Sequence, residues 1–140
     1  MGLDLYLTKL KVEEEIAYYR KDNFLIPFFE TMSERSVENC TYLPIRKEWI
    51  EELQERCKEI LSLVNLPKLI EEEDDYEIPK EAIEKAAELL PTQEGFFFGS
   101  TDYNAYYFMK VDNVCKSCPD ILTEFDKLED DECIAFYIWY

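Results

Sequence analysis

Both ends of the chain alternate. Leu3, Leu5 and Leu7 are interleaved with Asp4, Tyr6 and Thr8; near the other end Ile134, Phe136 and Ile138 are interleaved with Ala135, Tyr137 and Trp139. A period of two sends every second side chain to one face, so each segment reads as a strand with one buried side. Chain termini of a domain often lie close together, which makes these strands natural neighbours in one antiparallel sheet. Whatever connects them must then cover the apolar face of that sheet.

The connecting sequence is mostly helical in period. Val12 to about Met32 reads as a helix with Ile16, Tyr19, Asn23 and Ile26 on one face and Pro27 as a kink. Thr41 to Ile45 is expected to be extended, because the residue before Pro44 avoids the helical region. From Arg46 to about Val64, the residues Trp49, Leu53, Cys57, Ile60, Leu61 and Val64 form a narrow apolar stripe. Residues 66–78 hold Pro67 and the run EEEDDYE and read as a flexible acidic loop. Pro79 then opens a helix that turns Ile83, Ala86, Ala87 and Leu90 inward and stops at Pro91. Gly95 and Gly99 bracket three phenylalanines, and Tyr106, Tyr107 and Phe108 read as strand-like. Asp112 or Asn113 caps a last helix from about Val111 to Leu128. No repeat or internal boundary interrupts this pattern. The expected fold is one α+β domain over residues 1–140, with about four helices packed on a small, mainly antiparallel sheet that includes both terminal strands.

Charge narrows the function. The 140 residues carry 15 Lys+Arg against 32 Asp+Glu, a net charge of −17, and contain no histidine. At 47% hydrophobic and 15% aromatic, the chain is too apolar to be a disordered acidic tail. The negative charge opposes direct binding to a nucleic-acid backbone. The absence of histidine removes Ser-His-Asp hydrolysis and His-ligated zinc. With three glycines in all, no glycine-rich phosphate cradle is available, and no nucleophile elbow is present. Catalysis is not expected, and neither is a cofactor.

Cys115 and Cys118 have the spacing of half a zinc site, but no second pair or histidine completes it. A four-cysteine site would need two of Cys40, Cys57 and Cys133 from separate elements. Both residues also belong to the helical stripe Val111, Val114, Cys115, Cys118, Leu122 and Phe125, so core packing is the expected role and no metal is expected. The N-terminus carries neither a signal-peptide pattern nor, with Tyr6 at the critical position, a myristoylation pattern. No apolar run is long enough to span a bilayer. Free cysteines in such a chain point to the cytoplasm.

Several segments occur together and in order: MGLDLYL, IAYYRKDN, NCTYLPI, LQERCKEIL and LLPTQEGFFFGSTDYNAYYF. The chain resembles a family of small acidic proteins beginning MGLD-x-YL that are encoded by bacteriophages and prophages. The likeness covers most of residues 1–110 and is most specific in TQEGFFFGSTDY. It implies a phage or prophage setting, in the host cytosol, without implying a particular chemistry.

Two candidate sites follow. The first is an acidic surface drawn from Glu13–Glu15, from Glu71, Glu72, Glu73, Asp74 and Asp75 with Tyr76, and from Glu129, Asp130, Asp131 and Glu132. Such a field steers basic partners toward it. In a phage setting it suits an inhibitor of a basic host protein. A nucleic-acid mimic acting against a defence nuclease such as a CRISPR effector is one form of this, with Tyr76, Trp139 and Tyr140 stacking where bases would. The second candidate is a polar pocket of Arg20, Asn23, Gln93, Ser100, Asp102 and Tyr103 for a small ligand. Against it stands a simpler role for the same residues: Asn23 tying loop backbone, Arg20 pairing with Asp102 or Asp4, and the Gly-Ser-Thr segment forming a turn.

Overall fold

The computed structural model describes residues 2–10 and 14–140. Among these, strands β1 (Asp4–Lys9), β2 (Glu14–Arg20), β3 (Tyr42–Pro44) and β4 (Ile134–Trp139) form one antiparallel sheet in the order β2-β1-β4-β3. The two terminal strands are paired at its centre, from Asp4 opposite Trp139 to Lys9 opposite Ile134. Among the described residues five helices, one more than the four expected, complete the α+β fold: α1 (Leu25–Ser33), α2 (Lys47–Leu61), α3 (Leu66–Glu72), α4 (Lys80–Leu89) and α5 (Ala105–Asp126).

The helices cover one face of the sheet only. Leu5, Leu7, Phe136 and Ile138 are buried there, and Phe29 of α1 meets Phe136 with ring centroids 4.5 Å apart. α2 and α5 pack on each other through Ile50, Leu53, Cys57 and Ile60 on one side and Val111, Val114 and Cys118 on the other.

Three expectations are corrected. The first helix does not run from residue 12: Glu14–Arg20 is a strand, and only Leu25–Ser33 is helical. Val12 and Glu13 lie outside the described residues. Ile16, Tyr18 and Tyr19 are good strand formers, and β1 offers them a paired edge; this outweighs the weak helical period. The chain leaves β2 through Lys21, whose φ of 59° is left-handed. Pro27 therefore falls in the first turn of α1, where its missing N–H is unneeded, and causes no kink.

The acidic segment 66–78 is not a loop through most of its length. Asn65 caps α3 by accepting from the Lys68 N–H at 3.2 Å, Pro67 sits in the first turn, and Leu69 is fully buried. A 3-10 turn, Glu73–Asp75, follows. Finally, Tyr106, Tyr107 and Phe108 open α5 and are not a strand. Asn104 is the cap, its Oδ1 accepting from the Tyr107 N–H at 3.1 Å, in place of Asp112 or Asn113. Ala105, Phe108 and Val111 continue the stripe at helical spacing, so the aromatic run is one turn of a long helix.

Candidate functional site

Asn23 organises the segment around the three phenylalanines. The residue is 2% exposed. Its Nδ2 donates to the carbonyl oxygens of Phe98 and Ser100, both at 3.0 Å, and its Oδ1 accepts from the Gln93 N–H at 3.1 Å. Phe97 (φ 67°) and Gly99 (φ 88°) take left-handed conformations that curl the chain around this amide. Gly99 is needed there, since it also abuts the Lys21 side chain. The Leu3 N–H donates to the Phe97 carbonyl at 2.9 Å, tying the loop to the start of β1.

The six residues expected to form a pocket are divided. Asn23, Ser100 and Asp102 line a cavity of about 90 Å³, joined by Lys21, Lys110, Asn104 and Tyr106. Arg20 is instead on the sheet, its guanidinium 3.5 Å from Asp4. Gln93 turns away and donates to the Glu94 carbonyl at 3.2 Å. Tyr103 stacks edge-on against Tyr107, and its hydroxyl accepts from the Thr92 N–H at 3.1 Å. The Asp102 N–H donates to Ser100 Oγ at 3.0 Å, a side-chain cap of the kind the simpler role anticipates, whereas the backbone turn falls at Phe96–Phe97, closed by the Phe98 N–H donating to the Gly95 carbonyl at 3.1 Å. Lys110 was not visible as a pocket residue, because starting the last helix at about residue 111 leaves it outside any helix. Its ammonium donates to the Lys21 carbonyl at 3.2 Å. Next to these lysines, Asp22 is 5% exposed, and burial raises its carboxyl to about 7 against the opposing pull of Lys110.

The acidic runs are also divided. The Tyr106 hydroxyl donates to Glu73 at 3.3 Å, placing residues 71–75 beside the start of α5. Glu129–Glu132 follow its end. From Tyr106 to Asp126, at about 1.5 Å per residue, α5 holds these two runs roughly 30 Å apart. Tyr76 is half-buried, and its hydroxyl accepts from the Asn65 N–H at 2.9 Å, which makes it a brace for α3 rather than a protruding ring. The second run does converge with β2: Glu132 lies 3.9 Å from Lys9, which pairs in register with Glu14, and Glu15 pairs with Thr8. Glu13 lies outside the described residues.

The uncovered face of the sheet holds a feature that single segments do not reveal. Tyr18, Tyr6, Tyr137 and Tyr42, one from each strand, stand directly opposite one another across β2, β1, β4 and β3. Successive ring centroids are 5.4, 6.0 and 4.6 Å apart. Tyr18, Tyr42 and Trp139 are among the most exposed large side chains, Trp139 at 52%. Tyr6, Thr8, Glu15, Tyr42 and Tyr137 bound an open cleft of about 210 Å³. Burial, then the charge of Asp4, holds the Tyr6 hydroxyl above the usual phenol range; a hydrogen bond with Cys40 leads the same effect at Tyr137. The row sets aromatic faces beside the Glu15 carboxylate. Each tyrosine occupies the outward position of its own alternation, but the row needs the pairing of four distant strands.

Among the described residues, no group of three or more His, Cys, Asp or Glu side chains is disposed to hold a metal ion, and no helix is long and apolar enough to cross a membrane. The fold and surface define an acidic α+β protein with a one-sided sheet and a tyrosine-bearing open face. No family model matches the chain, and no curated protein or solved structure is significantly similar to it.

Proposed function

We propose that the protein is an acidic binding protein that recognises a basic partner protein on the open face of its sheet. The observation that carries this reading is the four-tyrosine row with Glu15 at its edge, on a chain of net charge −17. Tyrosine offers large contact area at small entropic cost and is enriched in the energetic centres of interfaces. Aromatic faces beside a carboxylate suit a Lys or Arg side chain, which stacks by cation–π attraction while its charge is met by Glu15. The long-range field brings the cation in, and the row holds it.

In the phage setting that the sequence resemblance implies, such a protein serves as an inhibitor of a basic host protein. A nucleic-acid-binding defence nuclease is the narrower form of this reading. The carboxylates that stand beside the row are Glu15, which bounds the cleft, and Asp4, which accepts from the Tyr18 hydroxyl at 2.8 Å.

Titration calorimetry with a Lys/Arg-rich peptide and its Gln-substituted counterpart, in a salt series, tests the reading. Saturable binding of the cationic peptide alone is expected, weakening with salt, and falling at least about tenfold in Tyr137→Ala or Glu15→Gln. Binding that both variants leave intact removes the row from the reading. No binding at low salt overturns it. Competition for DNA or guide RNA on a defence nuclease tests the narrower form.

A second reading rests on the cavity at Lys21 and Lys110. Two ammonium groups, the Ser100 hydroxyl and a left-handed lysine backbone at one small concavity fit a small anionic ligand. Thermal-shift measurements with inorganic phosphate and small dicarboxylates test it. A stabilisation that disappears in Lys110→Met supports it, and a flat response across the series ends it.

A further inference from the structure

A cavity of about 330 Å³, larger than those at Asn23 and on the open sheet face, lies where the end of α1, the edge strand β3 and the start of α2 meet. Residues 43–45 supply its apolar wall, with Leu43 and Ile45 themselves buried. Ser33, Arg35, Arg46 and Trp49 complete the lining.

The charge of this cavity is the reverse of the molecule's. The cavities at Asn23 and on the open face each carry a carboxylate, Asp102 and Glu15; this one carries two guanidinium groups and no carboxylate. The chain has four arginines. Arg20 and Arg56 are held by Asp4 at 3.5 Å and by Glu52 at 3.0 Å. Among the described residues, neither the Arg35 nor the Arg46 side chain has an ion pair or a hydrogen bond. Each keeps its five N–H donors for a group from outside the chain.

Both arginines are set on fixed backbone. Ser33 Oγ accepts from the Arg35 N–H at 3.3 Å, and Glu34 between them is left-handed (φ 56°), which turns the chain out of α1. Arg46 is the N-cap of α2, and the Ile45 N–H before it donates to the Ile134 carbonyl at 2.9 Å. The Arg46 side chain supplies no cap, so the free amides and positive end of this 15-residue helix add to the local potential. Glu48, the acidic residue of that first turn, does not line the cavity.

We propose that this cavity binds a small phosphate-bearing planar molecule of the nucleoside monophosphate class, with Arg35 and Arg46 on the phosphate and the Trp49 indole against the base.

Three matches carry the assignment. A guanidinium meets two phosphate oxygens at once through parallel N–H donors, and two of them balance the charge of about −1.5 to −2 on a phosphate monoester near pH 7. A half-buried indole beside an apolar wall suits stacking on a flat ring. The volume falls at the lower end of the usual range for small-molecule sites, about 300–1,000 Å³, which is the scale of a mononucleotide. The net charge of −17 opposes a polyanion spread over the surface. For one phosphate the contact pair outweighs that field, because distant charges are screened over about 8 Å at physiological ionic strength. The inference does not rest on the tyrosine row, none of whose rings lines this cavity.

The test is a fluorescence titration of the intact protein in a Trp139→Phe background, which leaves Trp49 as its one tryptophan. The probes are the common ribonucleoside 5′-monophosphates, their nucleosides and inorganic phosphate. At least one monophosphate should change the Trp49 emission saturably and bind about tenfold or more tightly than its nucleoside or inorganic phosphate. Arg35→Gln and Arg46→Gln should each weaken that binding about tenfold or more; both side chains are exposed, so neither change disturbs the core. Lys110→Met should leave it unchanged. No saturable change with any monophosphate overturns the proposal. So does a nucleoside or phosphate alone binding as tightly as the nucleotide, or binding indifferent to both arginines. A loss in Lys110→Met moves the binding to the cavity at Asn23 and overturns it equally.

Discussion

Asn23 and Asp22 are adjacent, both buried, and act in opposite senses. Asn23 satisfies three backbone groups of the 93–100 segment, which otherwise has no regular pairing. Asn23→Ala leaves those groups short of partners and should cost about 2–4 kcal/mol in urea unfolding. Asn23→Asp should be similarly costly, because a carboxylate cannot donate to the Phe98 and Ser100 carbonyls. Asp22 instead penalises the native state. Its folded carboxyl is raised to about 7, whereas an unfolded aspartate releases its proton near about 4. Between those values the native state binds more protons than the unfolded state, so the Asp22 contribution to stability falls as pH rises and levels off above about 7. Asp22→Asn should therefore gain stability relative to the parent on going from pH 5 to pH 8, measured by denaturant unfolding at both. A pH-independent difference would contradict this assignment. The role of Asn23 was open to sequence reading, because a lone polar residue among apolar neighbours needs partners. The division of the proposed pocket was not, because Arg20 and Gln93 are turned away by strand pairing and by a backbone curl.

At the scale of elements, α5 decides more than any other segment. It continues through Pro119, which removes one main-chain donor from its interior. Position 119 is exposed, and replacement by alanine restores the donor without burying anything new. Pro119→Ala should stabilise the protein by about 1–3 kcal/mol in thermal unfolding. Asn104→Ala removes the side-chain cap at the other end and should cost about 1 kcal/mol. Had α5 begun at residue 111, the Asn104 substitution would be nearly neutral. The aromatic run 106–108 and the strand Glu14–Arg20 were misread for the same reason. Short aromatic segments satisfy both periods, and the choice falls to whichever neighbour is available: β1 for the latter, Glu73 and Phe24 for the former.

At the scale of the whole molecule, charge and sheet geometry act together. A net charge of −17 on one domain opposes compaction, so screening should help. Raising sodium chloride from low to moderate concentration should raise the melting temperature, while weakening attachment to a cationic partner; calorimetry and binding titration read the two trends. The two terminal strands, the α+β class, the helices α2 and α4 and the excess negative charge follow from local periodicity and composition, because alternation and stripe patterns are properties of neighbouring residues. The tyrosine row and the separation of roughly 30 Å between two acidic runs do not. Each joins residues far apart along the chain, and strand register and helix packing set their distances.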